Sequence, residues 1–179
     1  MSEIANTYAE ALFTLAHDEG LDTPIYTQLN VLRQAFAQEP DFLRLLGNPA
    51  LPKEERCRIL DNSFRDQVQP YVLNFLKILT EKGYIRHFDR CCQAYRDRYN
   101  QAHDILPVTA TTALPLSQDQ QTRLTGKLAS LTGKTVELTN RVAPTVLGGI
   151  RLDYDGMQVD DTLRHRMDAL RDLLQNTVL

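Results

Sequence analysis

The 179-residue sequence predicts a mainly α-helical protein, with an N-terminal six-helix bundle over residues 1–104 and a small α/β domain over residues 105–179. Two observations carry this prediction. Apolar residues recur every three or four positions through the first hundred residues, as on the buried face of a helix. After Asp104 apolar residues recur at every second position, as in a half-buried strand, before a helical spacing returns.

Helices 1 to 3 are predicted from apolar stripes bounded by glycine and proline. Helix 1 carries two stripes side by side and ends at Gly20, because glycine is common just past the last turn of a helix. Helix 2 is predicted to begin with Thr23 as its cap and Pro24 in its first position, and to end at Pro40. A short helix 3 follows. The apolar residues are, in order, Ile4, Ala5, Tyr8, Ala9, Ala11, Leu12, Leu15 and Ala16; Ile25, Leu29, Leu32 and Phe36; and Phe42, Leu45 and Leu46.

Helices 4 to 6 are predicted in the same way. Proline fits the first turn of a helix, so Pro52 and Pro70 are predicted to open helices 4 and 5, and Gly83 to end helix 5. Helix 6 continues to about Asp104. Six such helices joined by short loops predict a bundle. Their apolar residues are Ile59, Leu60 and Phe64; Tyr71, Val72, Phe75, Leu76, Ile78 and Leu79; and Ile85, Phe88, Cys92, Tyr95 and Tyr99.

The second domain is predicted to have the order β-α-β-β-α. Alternation from Leu106 to Leu114 marks the first strand, and Ser117 with Gln120 fits a capping box for a helix that ends at Gly133. Two strands are predicted over 136–142 and 146–154, and Asp155-Gly156 is a dipeptide favoured in tight hairpin turns before the next short run. Thr162 is predicted to cap a last helix, which carries Leu163, Met167, Leu170 and Leu174.

Charge and hydropathy exclude several classes of protein. The 20 Lys and Arg residues against 23 Asp and Glu residues give a formal charge of −3, which provides no general attraction to nucleic acid or to an anionic membrane. No apolar run approaches the roughly 20 residues of a membrane-spanning helix. The three cysteines have no Cys-x-x-Cys spacing, so we expect them to be reduced thiols.

The glycine motifs and the histidines point to structure and not to chemistry. Gly133-Lys134-Thr135 lacks the earlier glycine of a phosphate-binding loop, because Leu128 occupies that place, and it fits a helix end followed by a strand. Gly148-Gly149 is expected to mark a bulge or a close backbone approach within a strand. The four histidines show no metal-ligand spacing. We therefore expect no catalytic residue, no cofactor and no metal site.

One alternative function is a small enzyme with a cysteine nucleophile. Cys91 and Cys92 lie on helix 6, and His87 lies one turn before Cys91, which allows some activation of a thiol. Burial of the two cysteines as small apolar residues is the favoured interpretation.

A second alternative function is a nucleic-acid-binding factor. Helix 6 carries basic and aromatic residues that could contact phosphates and stack on bases. They are Arg86, Arg90, Arg96, Arg98, Tyr95 and Tyr99. Asp89, Asp97 and Asp104 interrupt this series, so a solvated face with local ion pairs is the favoured interpretation.

Helices 1 and 5 are apolar over more than one stripe. Helix 1 has two stripes and Phe13, and residues 71–79 of helix 5 include only two strongly polar side chains, Asn74 and Lys77. Either both helices are central to the bundle, or part of their apolar surface binds a partner. A groove between two such helices is a suitable receptor for an amphipathic helix.

Several segments resemble one known family. They are 5–13 (ANTYAEALF), Asn48-Pro49, 74–83 (NFLKILTEKG), 108–117 and 148–174. In this order and at these separations they are similar to the delta subunit of bacterial F-type ATP synthases, the relative of the mitochondrial oligomycin-sensitivity-conferring protein. The resemblance covers nearly the whole chain.

The resemblance implies a non-catalytic connector in the peripheral stalk, which holds the catalytic head (F1) against the torque of the rotor during proton-driven ATP synthesis. It implies two partners: the N-terminal helix of an alpha subunit, bound between helices 1 and 5, and the b subunits, bound by the C-terminal domain. By helix position, the groove candidates are Tyr8, Ala11, Asn74 and Ile78. It also implies a peripheral location on the cytoplasmic face of the bacterial inner membrane, with membrane contact only through the complex.

Overall fold

The computed structural model describes residues 2–144, 146 and 148–160, and the chain divides into two compact units, Met1–Tyr99 and Asn100–Leu179. The protein is mainly helical with one small mixed sheet, as predicted. Before the first strand the helices are α1 Ser2–Asp18, α2 Asp22–Gln38, α3 Pro40–Leu46, α4 Lys53–Phe64, α5 Pro70–Glu81, a 3-10 turn Ile85–His87, and α6 Phe88–Ala102. Among the described residues no helix is both long and apolar enough to cross a membrane.

The core of the first unit is formed by the helical stripes that the sequence predicts. From α1 one stripe is buried, and α2, α5 and α6 each contribute a buried face. Full burial of one large aliphatic or aromatic side chain stabilises a fold by about 1.5–3 kcal/mol, so these stripes dominate the packing energy. The largest fully buried side chains in this unit include Ile25, Leu29, Leu60, Leu76, Phe88 and Tyr95.

Helix boundaries differ from the prediction at three places. Helix α2 begins at Asp22 with Leu21 as its N-cap, so the predicted Thr23 cap and first-position Pro24 are wrong. Pro24 is nevertheless tolerated because it lies in the first turn, where backbone N–H groups have no helical partner. Pro40 starts α3 as well as following α2. The predicted sixth helix begins as a 3-10 turn, and α6 itself starts at Phe88.

The second unit contains a four-stranded sheet in the order β2-β1-β3-β4. The elements are β1 Ile105–Thr112, α7 Gln118–Thr132, β2 Thr135–Val142, β3 Ile150–Tyr154 and β4 Met157–Asp160. Strand β1 is parallel to β2, because α7 returns the chain to the same end of the sheet, and it is antiparallel to β3. Leu106 and Val108 pack with Leu128 of α7 in the core of this unit.

The turn and cap residues of the second unit are largely as predicted. Ser117 Oγ accepts a hydrogen bond from Gln120 N at 3.3 Å, which completes the capping box of α7, and Gly133 ends that helix with φ +69°. Asp155 and Gly156 have φ +47° and +72°, as a two-residue hairpin requires. The strand predicted from 146 begins only at Ile150, so Gly148-Gly149 precedes it. The predicted Thr162 cap and the last helix lie outside the described residues.

Candidate functional site

A groove of about 130 Å³ lies between α1 and α5. Each helix contributes four residues at positions i, i+3, i+4 and i+7, the spacing that places side chains on one helical face. The lining residues are Tyr8, Ala11, Leu12 and Leu15 from α1, and Tyr71, Asn74, Phe75 and Ile78 from α5. The structure therefore brings all four predicted site residues, Tyr8, Ala11, Asn74 and Ile78, into one groove.

The groove has a buried floor and open walls. Leu12 and Phe75 are buried beneath it, whereas Ala11 is exposed and Leu15 retains 42% of its surface in contact with solvent. The other α1 stripe, which includes Ala5 and Ala9, is buried in the core. Of the two stripes on helix 1, the one with Ala5 and Ala9 is thus core, and the one with Tyr8 and Ala11 lines an open, largely apolar groove.

The lining is uncharged but not wholly apolar. None of its eight side chains carries a charge, while the exposed Asn74 amide supplies hydrogen-bond donors and an acceptor. The Tyr8 ring lies against Tyr84, with ring centroids 6.0 Å apart, and this contact limits the positions that the Tyr8 ring can adopt. The groove can therefore cover an apolar helical face and also bond a polar group on its partner.

Two charged residues of α1 and α5 outside the lining are paired within the fold. Glu10 Oε2 accepts from Arg98 Nη2 at 2.9 Å, and Lys77 Nζ lies 2.7 Å from Asp61 Oδ1. Ion pairs at partly exposed positions add little to the stability of a fold, typically less than about 1 kcal/mol. Their effect here is to leave the groove without an uncompensated charge from these two side chains.

Four further residues line the groove that the sequence did not predict, namely Leu12, Leu15, Tyr71 and Phe75. The signal was present in the i, i+3, i+4, i+7 spacing around Tyr8 on α1 and around Asn74 on α5. The sequence does not show which stripe faces the core and which faces the groove, because both kinds of stripe have the same composition.

The cysteines of α6 are buried thiols with raised pKa values. Cys91 and Cys92 are both buried among core residues. Burial raises the pKa of Cys91 to about 11, and burial with the neighbouring Cys91 and Asp89 raises the pKa of Cys92 further. Both thiols are therefore protonated at neutral pH, whereas a nucleophile must be a thiolate. The enzyme alternative based on these cysteines is wrong.

The aromatic residues of α6 are also engaged within the fold. The Tyr95 hydroxyl donates to Asp22 O at 3.1 Å, and the Tyr99 ring stacks on Tyr26 with centroids 4.3 Å apart. Arg98 pairs with Glu10. Neither tyrosine can stack on a base, so the aromatic part of the surface that the nucleic-acid alternative requires does not form.

Comparisons with known proteins agree on one family. Residues 4–174 match the family model described as the ATP synthase delta (OSCP) subunit. The ATP synthase subunit delta of Lactobacillus johnsonii is 33% identical over 96% of this chain and 94% of its own. The ATP synthase subunit delta of Clostridioides difficile is 30% identical over 98% of this chain and 97% of its own. A solved structure of the Toxoplasma gondii mitochondrial ATP synthase hexamer contains a chain with the same fold, with a TM-score of 0.76, 20% identity and coverage of 96% of this chain and 97% of that one.

Proposed function

The chain belongs to the ATP synthase delta (OSCP) subunit family, and we propose on this premise that it joins the catalytic head to the b subunits. As a member of this family it is a non-catalytic component of the peripheral stalk of an F-type ATP synthase. Its task is mechanical, since the stalk must hold the head still while the rotor turns. Helices α1 to α6 would act as one six-helix bundle in this role.

The α1–α5 groove is the proposed binding site for the N-terminal helix of an alpha subunit. The supporting observation is an open, uncharged groove in which two helices present the same i, i+3, i+4, i+7 spacing. A helix that lies in such a groove buries its own apolar face at the same spacing. We therefore expect the partner helix to be amphipathic.

Ala11 and Leu15 are proposed to contact the partner helix directly. Ala11 is exposed and small, so a partner helix can approach the α1 backbone closely there. Leu15 is exposed at 42%, and each Å² of apolar surface removed from water contributes roughly 25 cal/mol. A charged group introduced into this contact would lose its hydration without gaining a partner.

The second unit is the proposed site for the b subunits. Among its described residues it exposes five large apolar side chains, namely Leu114, Leu131, Val142, Met157 and Val159. Exposed apolar groups of this size suit a protein contact, and helix ends from the b subunits would cover them. We place the assembled protein at the cytoplasmic face of the bacterial inner membrane, held there by other subunits.

Reconstitution tests this function. Membranes stripped of their catalytic heads are mixed with heads purified without this chain, and head retention and proton-driven ATP synthesis are measured. Adding the chain is expected to restore both, and Ala11→Asp is expected to reduce both more than the matched exposed change Thr14→Asp. Equal retention and synthesis with and without the chain would contradict the proposal.

A further inference from the structure

A second and larger cavity, of about 640 Å³, lies where the end of α2, the short α3 and the end of α4 meet. Its lining is made of Ala35, Phe36, Glu39, Asp41, Phe42, Leu45, Ser63 and Phe64. None of these residues lines the α1–α5 groove. Its volume lies within the range of about 300–1,000 Å³ that is typical of small-molecule sites.

Three phenylalanines form the apolar part of this cavity. Phe36 and Phe42 have ring centroids 5.6 Å apart, and Phe64 lies 6.1 Å from Phe36 and 5.9 Å from Phe42. Phe36 is buried, and the other two rings are half-buried. The faces of aromatic rings carry partial negative charge, so a cluster of this kind attracts cations as well as apolar groups.

The charged groups of the lining are both acidic. Glu39 and Asp41 are exposed on the rim, and the lining contains no basic side chain. Asp41 Oδ1 accepts from Arg44 Nη1 at 2.7 Å, which neutralises one of the two carboxylates. Within the described part of the chain no cation pairs with the Glu39 carboxylate. The rim thus retains one negative charge beside an aromatic floor.

We propose that this cavity binds a small amphiphilic cation, namely an amine that carries one aromatic ring or a short alkyl chain. The apolar group would lie on Phe36, Phe42 and Phe64, and the ammonium would face Glu39. The site is a pocket open to solvent, with Phe36 buried and the rings of Phe42 and Phe64 half-buried beside the exposed Glu39. One carboxylate next to a small aromatic floor matches a ligand that carries one ammonium and one apolar group.

Three probes that differ only in their head group test the charge preference. Phenylbutylamine, phenylbutanol and phenylbutyrate are titrated separately into the isotope-labelled full chain, and amide chemical shifts are followed by NMR. Saturable shifts confined to the ends of α2 and α4 and to α3 are expected for the amine, with a dissociation constant of about 1 mM or tighter. The alcohol is expected to bind less tightly than the amine, and the carboxylate least tightly.

Matched variants test the site itself. Ala35→Trp fills the cavity from an exposed position and is expected to weaken amine binding at least about tenfold, whereas Ala37→Trp on the same helix lies outside the lining and leaves binding unchanged. Glu39→Gln is expected to weaken binding of the amine about two- to fivefold and to leave binding of the alcohol unchanged.

Three results would overturn the proposal. The first is the absence of saturable shifts with the amine, and the second is equal affinity for the amine and the carboxylate. The third is a doubling of molecular mass at high protein concentration that Ala35→Trp abolishes, because this would assign the cavity to a second copy of the chain. The thermal unfolding of each variant is also measured, so that a loss of binding caused by a loss of fold is recognised. If Ala35→Trp does not fold, the effect of Glu39→Gln on amine affinity tests the site alone.

Discussion

Arg56 Nη1 donates a hydrogen bond to the carbonyl oxygen of Leu46 at 3.0 Å, and through it a buried guanidinium holds the last turn of α3. The same atom lies 3.4 Å from the carbonyl oxygen of Thr80 near the end of α5. Carbonyl groups at helix C-termini carry partial negative charge, which a cation stabilises. Arg56, only 6% exposed, therefore joins α4 to the ends of two other helices.

Replacing this arginine should destabilise the fold strongly. Arg56→Ala removes the side-chain donor of Leu46 O and opens a void, while Thr80 O keeps its hydrogen bond from Gly83 N at 3.1 Å, so the free energy of unfolding is expected to fall by about 2–4 kcal/mol. The matched change Arg58→Ala, on an exposed position of the same helix, is expected to alter it by no more than about 0.5 kcal/mol. Urea unfolding followed by circular dichroism measures both. Similar losses for the two variants would refute the role of Arg56.

Asn140 holds the loop after β1 in a comparable way. Its Nδ2 donates to Ala110 O and to Thr112 Oγ1, each at 2.9 Å, and its Oδ1 accepts from Leu116 N at 2.8 Å. Asn140→Asp keeps the acceptor but turns a second oxygen toward Ala110 O, with an expected loss of about 1–3 kcal/mol in unfolding free energy. Asn62→Asp, at an exposed position, serves as the control. Faster hydrogen exchange at the Leu116 amide is expected only in the first variant.

The buried thiols predict a specific dependence of stability on pH. The pKa of Cys91 rises from its ordinary 9.0 to about 11 on folding, so the folded state retains a proton that the unfolded state loses. This contribution to stability is fully present below about pH 9 and disappears as the pH rises toward 11. Cys91→Ala should reduce the decline in unfolding free energy between these two pH values. An unchanged decline would show that Cys91 titrates normally.

The sequence predicted the core better than the sites. Helical spacing alone identified the buried apolar residues of α2, because Ile25, Leu29, Leu32 and Phe36 must share one face whatever they pack against. The predicted start of the same helix is wrong, because the preference for threonine at the cap favours Thr23, whereas Leu21 precedes the helix without a side-chain cap hydrogen bond.

Features that depend on several distant segments were beyond sequence reasoning. The burial of Arg56 requires that the ends of α3 and α5 meet beside α4. The Phe36 cavity depends on how closely three helix ends approach. The groove was partly predictable, because the spacing of Tyr8 and Ala11 places them on one face, but only the fold shows that this face remains open.

Exposure around residues 101–104 predicts where the chain is cut first by proteases. These four residues are exposed, and Asp104 adopts φ +51°, an unusual conformation for a residue other than glycine. Limited proteolysis with a low amount of a non-specific protease is expected to yield a helical fragment of roughly a hundred residues. Mass spectrometry locates the cuts. First cuts inside α1 or α5 would contradict a boundary at this point.

The role of the α1–α5 groove is tested most directly by calorimetric titration of a synthetic peptide, the N-terminal segment of the partner alpha subunit, into the full chain. Ala11→Asp should weaken binding of the peptide by about thirty- to a thousandfold, because a carboxylate would lose its hydration in an apolar contact. Ile78→Ala should weaken binding of the peptide less, by about five- to a hundredfold. Thr14→Asp, exposed on α1 outside the lining, should change affinity less than about threefold. Wild-type affinity in an Ala11→Asp variant that unfolds at the normal temperature would contradict the proposal that the groove binds the alpha subunit.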